Sequence, residues 1–445
     1  MNLLLDYLQH NMRLASDSTI SVVSKEKSLI KFSELLDQSK KMASNFVSHK
    51  YGILEDDIIS VLKILFACLY SNSTVVILPH QYGDNLCNKI IQKTKLSYIV
   101  NSNGISQISP DYLEIEDLSD VAYIMCTSGT TGQPKAAMIT YRNILSNIKD
   151  ICVYFNISCH DTILITRPLC HASALVGEFF VSLVSGANIV FYSDYNPFFI
   201  SKILSEKNIT VFCSTPTVCV QLAEICARKK QSISLKKLVL SGECLTRSVA
   251  NRLIEAFPNV EIYNVYGLTE ASPRVSYLPP ESFRGKPESV GTPLNTVKVK
   301  IIDDELYVKG NNVMKGYYED PELTKRTIKN GWLKTGDFAI KDSQGFLYIK
   351  GRKDDLIIRA GINVYPQEIE NALLQDRRIE NVVAYRIKGN PYGDRIGLKV
   401  VAKKLTEEKI FSICKQLLPN YQIPDLIECV DNLPKNESGK ALRTQ

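Results

Sequence analysis

The chain has 445 residues, 45% of them hydrophobic and 22% charged, which is enough to bury a sizeable core in two or three packing units and excludes global disorder. A net charge of +6 without any dense Lys/Arg block suits an anionic nucleotide and argues against nucleic-acid binding. The 12 cysteines run from Cys68 to Cys429 without a CxxC pair, which reads as buried, reduced thiols rather than disulfides or a zinc site.

The N-terminal stretch is interrupted by Asp6 and has no continuous apolar run or cleavage site, so no signal peptide is expected. The longest apolar run, Ile58–Tyr70, carries Lys63 and is shorter than the roughly 20 residues a membrane span needs. A cytoplasmic protein with no membrane partner is therefore expected. Short runs rich in Val, Ile and Tyr follow at 74–78, 122–125, 162–166, 187–192, 210–213, 237–240 and 261–265. They alternate with helix-like segments at 143–154, 197–206, 218–229 and 248–257. This alternation predicts an α/β fold with largely buried parallel strands.

The texture changes near Gly285, where residues 297–303 and 305–309 read as short strands around a turn, followed by Gly310, Gly316 and Gly331. The run Gly351-Arg352-Lys353-Asp354-Asp355, with one glycine and four charges, reads as a hinge and not as core. Beyond it, residues 366–374 place Ile369, Ala372 and Leu373 on one face of an amphipathic helix. The expected organisation is a large N-terminal domain of βα layers over 1–350 with a β-rich part at 285–350. A hinge at 351–355 and a small α+β C-terminal domain over 356–445 complete it.

The chemistry concentrates in a few motifs. A strand runs into Thr127-Ser128-Gly129-Thr130-Thr131-Gly132 and then Lys135. Glycines let the backbone turn its N–H groups towards anionic oxygens, hydroxyls add donors, and the lysine adds charge. The spacing is not that of a Walker loop. Taken alone, such a loop reads equally well as a polar turn between two elements.

This segment resembles the phosphate-loop signature of the adenylate-forming superfamily, which includes acyl-CoA synthetases, adenylation domains of nonribosomal peptide synthetases and beetle luciferases. Further motifs follow in the same order: Pro168-Leu-Cys-His171, Ser241-Gly242-Glu243, Tyr266-Gly267-Leu-Thr269-Glu270 and Gly331-Trp-Leu-Lys-Thr-Gly-Asp337. The run at 351–355, then Gly361-Ile-Asn-Val-Tyr-Pro366 and Pro434-Lys-Asn-Glu-Ser-Gly-Lys440, complete the set.

The resemblance implies a role for each position. Tyr266 lies against adenine, Ser241, Gly242 and Glu243 border it, Thr269 bonds the α-phosphate and Glu270 binds Mg²⁺. Those residue types suit a base face, an anion and a hard cation. Asp337 accepts from both ribose hydroxyls, with Arg352 as a second ribose contact; a carboxylate offers two acceptor oxygens to a vicinal diol. Lys440 bridges the attacking carboxylate and the α-phosphate, lowering the repulsion between two anions. Asp354 is the pivot of a mobile C-terminal lid, and Gly361 leaves room for a pantetheine arm on the thiol side. Arg443 receives no role.

The implied reaction is ATP- and Mg²⁺-dependent conversion of a carboxylic acid to an acyl-AMP, with release of pyrophosphate and then transfer to a thiol. CoA is the expected acceptor. A carrier-protein phosphopantetheine arm is the alternative, because both present the same thiol. Retained Lys135, Glu270, Asp337 and Lys440 argue against a non-catalytic homologue.

His171 stands where amino-acid-activating members carry an Asp, which disfavours an α-amino acid as substrate because its ammonium would be buried unpaired. The Pro-Leu-Cys-His form is similar to acyl- and aryl-CoA ligases, where the histidine gates the acyl pocket. Ala174, Val176, Gly267, Ser272 and Arg274 are the pocket candidates; Arg274 either meets a second acid group on the substrate or sits in a surface ion pair.

Three departures stand out. The N-terminal region is compressed around 57–78, Ala136 replaces the usual glycine after Lys135, and Asn363 stands where some relatives carry a CoA-contacting arginine. No carrier domain is expected after Lys440.

Overall fold

The structure is a computed structural model. It describes residues 3–23, 28–47, 49–109, 117–128, 134–193, 196–229, 232–359, 362–376, 378–390, 393–434 and 443. Gly129, Thr130, Thr131, Gly132, Gly361 and Lys440 lie outside these, as does the side chain of Ser128.

The α/β expectation holds. A nine-stranded sheet has six neighbouring parallel strands in the order Glu261–Gly267, Lys237–Leu240, Val211–Ser214, Thr162–Ile165, Asn188–Phe191 and Thr19–Val22. Arg274–Leu278 and Thr292–Pro293 extend one edge antiparallel, and Ser28–Lys31 closes the other. A seven-stranded sheet pairs Gly316–Tyr317, Pro134–Thr140, Val121–Ser128, Thr74–Ile77, Lys50–Ile53, Tyr98–Asn101 and Gly104–Gln107 in that order.

The helix Ile58–Tyr70 buries nine of its residues, including Leu62, Leu65, Phe66 and Leu69. At about 1.5–3 kcal/mol for each large side chain removed from water, this helix is a main support of the core. Asp57 caps it by accepting from the Ser60 backbone N–H at 2.8 Å. Tyr141–Phe155 starts on a reciprocal box in which Asn143 N–H donates to Thr140 Oγ1 at 3.1 Å and Asn143 Oδ1 accepts from Thr140 N–H at 2.8 Å. Leu4, Leu5, Leu8 and Met12, at helical spacing, are the buried face of the helix Leu3–Leu14. Among the described residues no helix is long and apolar enough to cross a membrane.

The β-rich region is an antiparallel sheet of Lys298–Ile302, Glu305–Lys309, Trp332–Lys341 and Ile328–Lys329, with Leu347–Arg352 also on Trp332–Lys341. Beyond it, Ile362–Val364, Ile357–Arg359, Gly393–Ala402 and Ile379–Asn390 form a separate sheet, with Leu426–Cys429 parallel to Gly393–Ala402. That sheet carries its own core of Ile357, Ile369, Leu373, Ile396, Leu398 and Ile410.

Two expectations need correction. Gly351 and Arg352 close a strand, and Gly351 is buried, so only Lys353–Asp355 forms a turn between the two sheets. Of the free cysteines, Cys159 and Cys429 are exposed and Cys126, Cys152, Cys170 and Cys244 are half-buried.

Candidate active site

Ligands of open α/β sheets bind beyond the carboxyl ends of the strands, and two of the expected segments, residues 241–243 and 266–270, fall there. Tyr266 and Gly267 end the strand Glu261–Gly267, and the chain returns through Thr269–Ala271 into Arg274–Leu278. Only glycine fits at 267, because a Cβ there would stand 2.2 Å from the Pro273 carbonyl oxygen. That close approach lets the Leu268 N–H reach the same carbonyl at 2.9 Å and fixes the loop carrying Thr269 and Glu270.

Asp337 reaches this loop from the antiparallel sheet. Its carboxylate accepts from the Tyr266 hydroxyl at 2.5 Å, across 71 positions of sequence. Arg352, its cross-strand partner, brings Nε to 3.3 Å from the other carboxylate oxygen. Thr335 Oγ1 accepts from the Asp337 N–H at 3.1 Å and donates to the Leu306 carbonyl at 2.8 Å, so the backbone beneath is held too. Burial and the adjacent Asp337 charge push the Tyr266 phenol well up, so it stays protonated and remains the donor.

Glu270 is oriented by a residue that no motif announced. The Tyr317 hydroxyl donates to Glu270 Oε1 at 2.8 Å, and the Met314 N–H holds the Glu270 carbonyl at 2.9 Å. Burial and the Glu270 charge push the Tyr317 phenol up as well. A carboxylate with one oxygen steadied by a neutral donor keeps lone pairs for a hard cation, so the donor set fits Mg²⁺.

Thr127 and Lys135 face each other across the pair Val121–Ser128 and Pro134–Thr140, flanking the phosphate-loop positions. Ser241 follows the strand Lys237–Leu240, and its hydroxyl accepts from Arg167 Nη1 at 2.9 Å. Gly242 follows with φ +88. Glu243 turns to the start of the helix Pro216–Lys229, where it accepts from the Thr217 hydroxyl at 2.7 Å and N–H at 3.2 Å.

On the acid side, His171 Nε2 lies 3.0 Å from the Tyr82 hydroxyl, a bond joining the nine-stranded sheet to a turn that follows the strand Thr74–Ile77. Ala174 and Val176 are fully buried. Arg274 is 3% exposed, which removes the surface ion-pair alternative. Asn147 and Asn312 hold its backbone carbonyl at 2.9 and 3.0 Å. Its guanidinium lies 3.0 Å from where a Cβ on Gly177 would stand. Ser272, also buried, adopts φ +60. Beside them Glu178, fully buried, pairs with Arg167. Burial pushes the Glu178 carboxyl up and the charge of Arg167 opposes that rise. Asp354 sits exposed in the turn Lys353–Asp355.

Tyr82, Tyr317 and the Arg167–Glu178 pair were missed from sequence. The last left a signal: an acid inside the apolar run LVGEFF.

Residues 101–318 match the AMP-binding enzyme family, and residues 368–440 match the AMP-binding enzyme C-terminal domain. A 2-succinylbenzoate–CoA ligase of Bacillus cereus is 30% identical over 339 residues, covering 74% of this chain and 70% of that protein. The chain belongs to the AMP-binding enzyme family. Another relative, a long-chain-fatty-acid–CoA ligase of Escherichia coli O6:H1, is 33% identical over 347 residues, 73% of this chain. The match spans 61% of that ligase's own length. The solved O-succinylbenzoate coenzyme A synthetase of Bacillus subtilis, in complex with ATP and magnesium ion, superposes with a TM-score of 0.85 at 25% identity, covering 98% of each chain. The first matched segment of this AMP-binding enzyme contains Tyr266 and Glu270, and the second contains position 440.

Proposed function

We propose that this AMP-binding enzyme activates a carboxylic acid with ATP, forming an acyl-AMP and pyrophosphate, and then transfers the acyl group to the thiol of CoA. The observation that carries the reading is the convergence of Tyr266 and Arg352 on the buried carboxylate of Asp337. Such a carboxylate offers two acceptor oxygens to the two hydroxyls of a ribose. Glu270 would hold Mg²⁺, which neutralises phosphate charge when bound. Thr269 and the 127–135 segment would hold the phosphates, and Lys440 would lower the repulsion between the acid and the α-phosphate.

His171, steadied by Tyr82, would border the acyl group, with Ala174, Val176, Ser272 and Arg274 around it. These are buried small or charged side chains, which supports a compact acid over a long chain. The relatives' names support CoA as the acceptor over a carrier protein. The two units would be residues 1–350 and 356–445, turning about Asp354 so that the Gly361 segment replaces Lys440 for the thiol step. The setting is proposed to be cytoplasmic, with only small-molecule partners.

The test is pyrophosphate release over a panel holding 2-succinylbenzoate, aryl acids, short dicarboxylates and long-chain fatty acids, followed by thioester formation with CoA or a phosphopantetheinylated carrier. Release with no acid in the panel would refute adenylation. Transfer to the carrier alone would move the acceptor from CoA.

A further inference from the structure

Arg443 stands three positions after Lys440 and is bound by three separate elements. Its Nε lies 3.3 Å from Asp355 Oδ2, in the turn Lys353–Asp355. Both terminal nitrogens reach the two oxygens of Glu370 on the helix Pro366–Leu373, the Nη2 bond measuring 2.9 Å. Nη1 also donates to the Ala384 carbonyl at 3.0 Å, on the strand Ile379–Asn390, and Nη2 lies 3.5 Å from Gln367 Oε1. Glu370 is fixed in turn, accepting the Ala384 N–H at 2.8 Å, and is 5% exposed.

A guanidinium has five donors in a rigid fork, and here all three nitrogens are engaged. A lysine could not reproduce that pattern. Burying such a pair adds little net stability over an apolar equivalent, because desolvation offsets the attraction. What the arrangement does supply is a fixed orientation.

Two features tie it to the site. Asp355, Glu370 and Ala384 all follow Asp354 in sequence, so in the proposed rotation about Asp354 the whole cluster would turn with the C-terminal unit. The Cys244 thiol, in the loop after Glu243, is pushed up to about 12 by burial, Asp337 and Glu370, and also feels Arg443. The Phe338 and Tyr365 rings also meet edge-on with centroids 5.3 Å apart, which sets the start of the helix Pro366–Leu373 beside the strand that carries Asp337.

We propose that Arg443 is a positioning residue for adenylation: its guanidinium locks the chain beside Lys440 onto Glu370, Ala384 and Asp355, and it acts only through Lys440. This rests on the adenylating role given to Lys440 above.

The experiment is a cycle of Arg443→Met, Arg443→Lys, Lys440→Ala and the Lys440→Ala/Arg443→Met double variant, all in the full chain. The acid is the one giving the wild type its fastest pyrophosphate release, and its synthetic acyl-AMP with CoA reports the second half-reaction. Arg443→Met should slow pyrophosphate release by about 10²-fold, the loss expected from misplacing a reacting group by about 1 Å. Arg443→Lys should recover only part of that. Acyl transfer from supplied acyl-AMP should stay within about threefold, because Lys440 has no part in it. In the Lys440→Ala background, Arg443→Met should add nothing further.

Equal slowing of both half-reactions, or full additivity with Lys440→Ala, would make Arg443 a general structural residue and overturn the proposal. So would wild-type release in Arg443→Met while Lys440→Ala is slow. If Lys440→Ala itself released pyrophosphate at the wild-type rate, the adenylation role of Lys440 would fall first and the proposal with it. Should Arg443→Met lower the melting temperature too far to assay, Arg443→Lys with the transfer control decides the same question.

Discussion

Tyr317→Phe isolates one hydrogen bond at the proposed metal site. The ring of Tyr317 is 3% exposed and its hydroxyl donates to Glu270 Oε1 at 2.8 Å. Phenylalanine keeps the ring and the strand pairing of residue 317 with Ala137 while deleting only the donor. A hydrogen bond to a charged group contributes about 1.5–3 kcal/mol. At about 1.4 kcal/mol per tenfold, that corresponds to about 10–100-fold in the affinity of whatever Glu270 must be oriented to bind. Loss of the donor also leaves more negative charge on the free oxygens, which pulls towards tighter metal binding. Orientation should win, because a carboxylate free to turn must be ordered again for each binding event. The assay is pyrophosphate release against Mg²⁺ concentration in chelator-stripped enzyme, with AMP binding by calorimetry as the metal-free control. The half-saturating Mg²⁺ concentration should rise by about 10–100-fold while AMP affinity holds. An unchanged Mg²⁺ curve would refute the assignment of Glu270 as a metal ligand oriented by Tyr317.

Three other outcomes follow from the same geometry. Asp337→Asn should weaken AMP binding by about 10–100-fold in calorimetry, through loss of charge-assisted acceptance; an unchanged affinity would detach Asp337 from the ribose. Arg167→Met should destabilise the N-terminal unit by about 3–5 kcal/mol in denaturant unfolding, because Glu178 is left buried without its cation, and adding Glu178→Met should restore at least half of that. A loss below about 1 kcal/mol would mean that water reaches Glu178. Burial pushes the thiols of Cys170 and Cys244 up to about 12, so at pH 8 only about 10⁻⁴ of each is thiolate. Iodoacetamide should therefore modify exposed Cys159 well before either, and faster labelling of Cys170 than of Cys159 would contradict the burial described.

The sheet architecture was legible because its signal is local. Runs such as 163–165 and 238–240 are apolar through consecutive residues, as strands buried on both faces must be. The site was legible where chemistry forces residue types into one short segment: Tyr266 to Glu270 fill a single tight return whose glycine has no substitute. Composition misled at Gly351. Four charges nearby suggested an exposed linker, yet the strand Leu347–Arg352 carries Gly351 into a buried position beside Phe338.

What stayed hidden is pairwise and remote. Tyr82 and His171 are 89 positions apart, Tyr317 and Glu270 47, and Arg443 and Glu370 73. A motif marks residues that are expected to meet the ligand; Tyr82 and Tyr317 each meet a residue of a motif instead, and Arg443 and Glu370 lie just past two of them. A tyrosine hydroxyl steadying a carboxylate or an imidazole requires only that the fold bring it within about 3 Å, which any of several loops could do. No spacing rule in the sequence records that choice. The consequence falls unevenly on the chemistry. In the proposed function, Glu270 and His171 announce which atoms would be offered to the cation and the acid, while Tyr317 and Tyr82 would set how rigidly they are offered. Affinity and rate depend on that rigidity. Variation at such partners is therefore a route by which an enzyme with this fold can change metal dependence or acid preference while every motif residue stays in place.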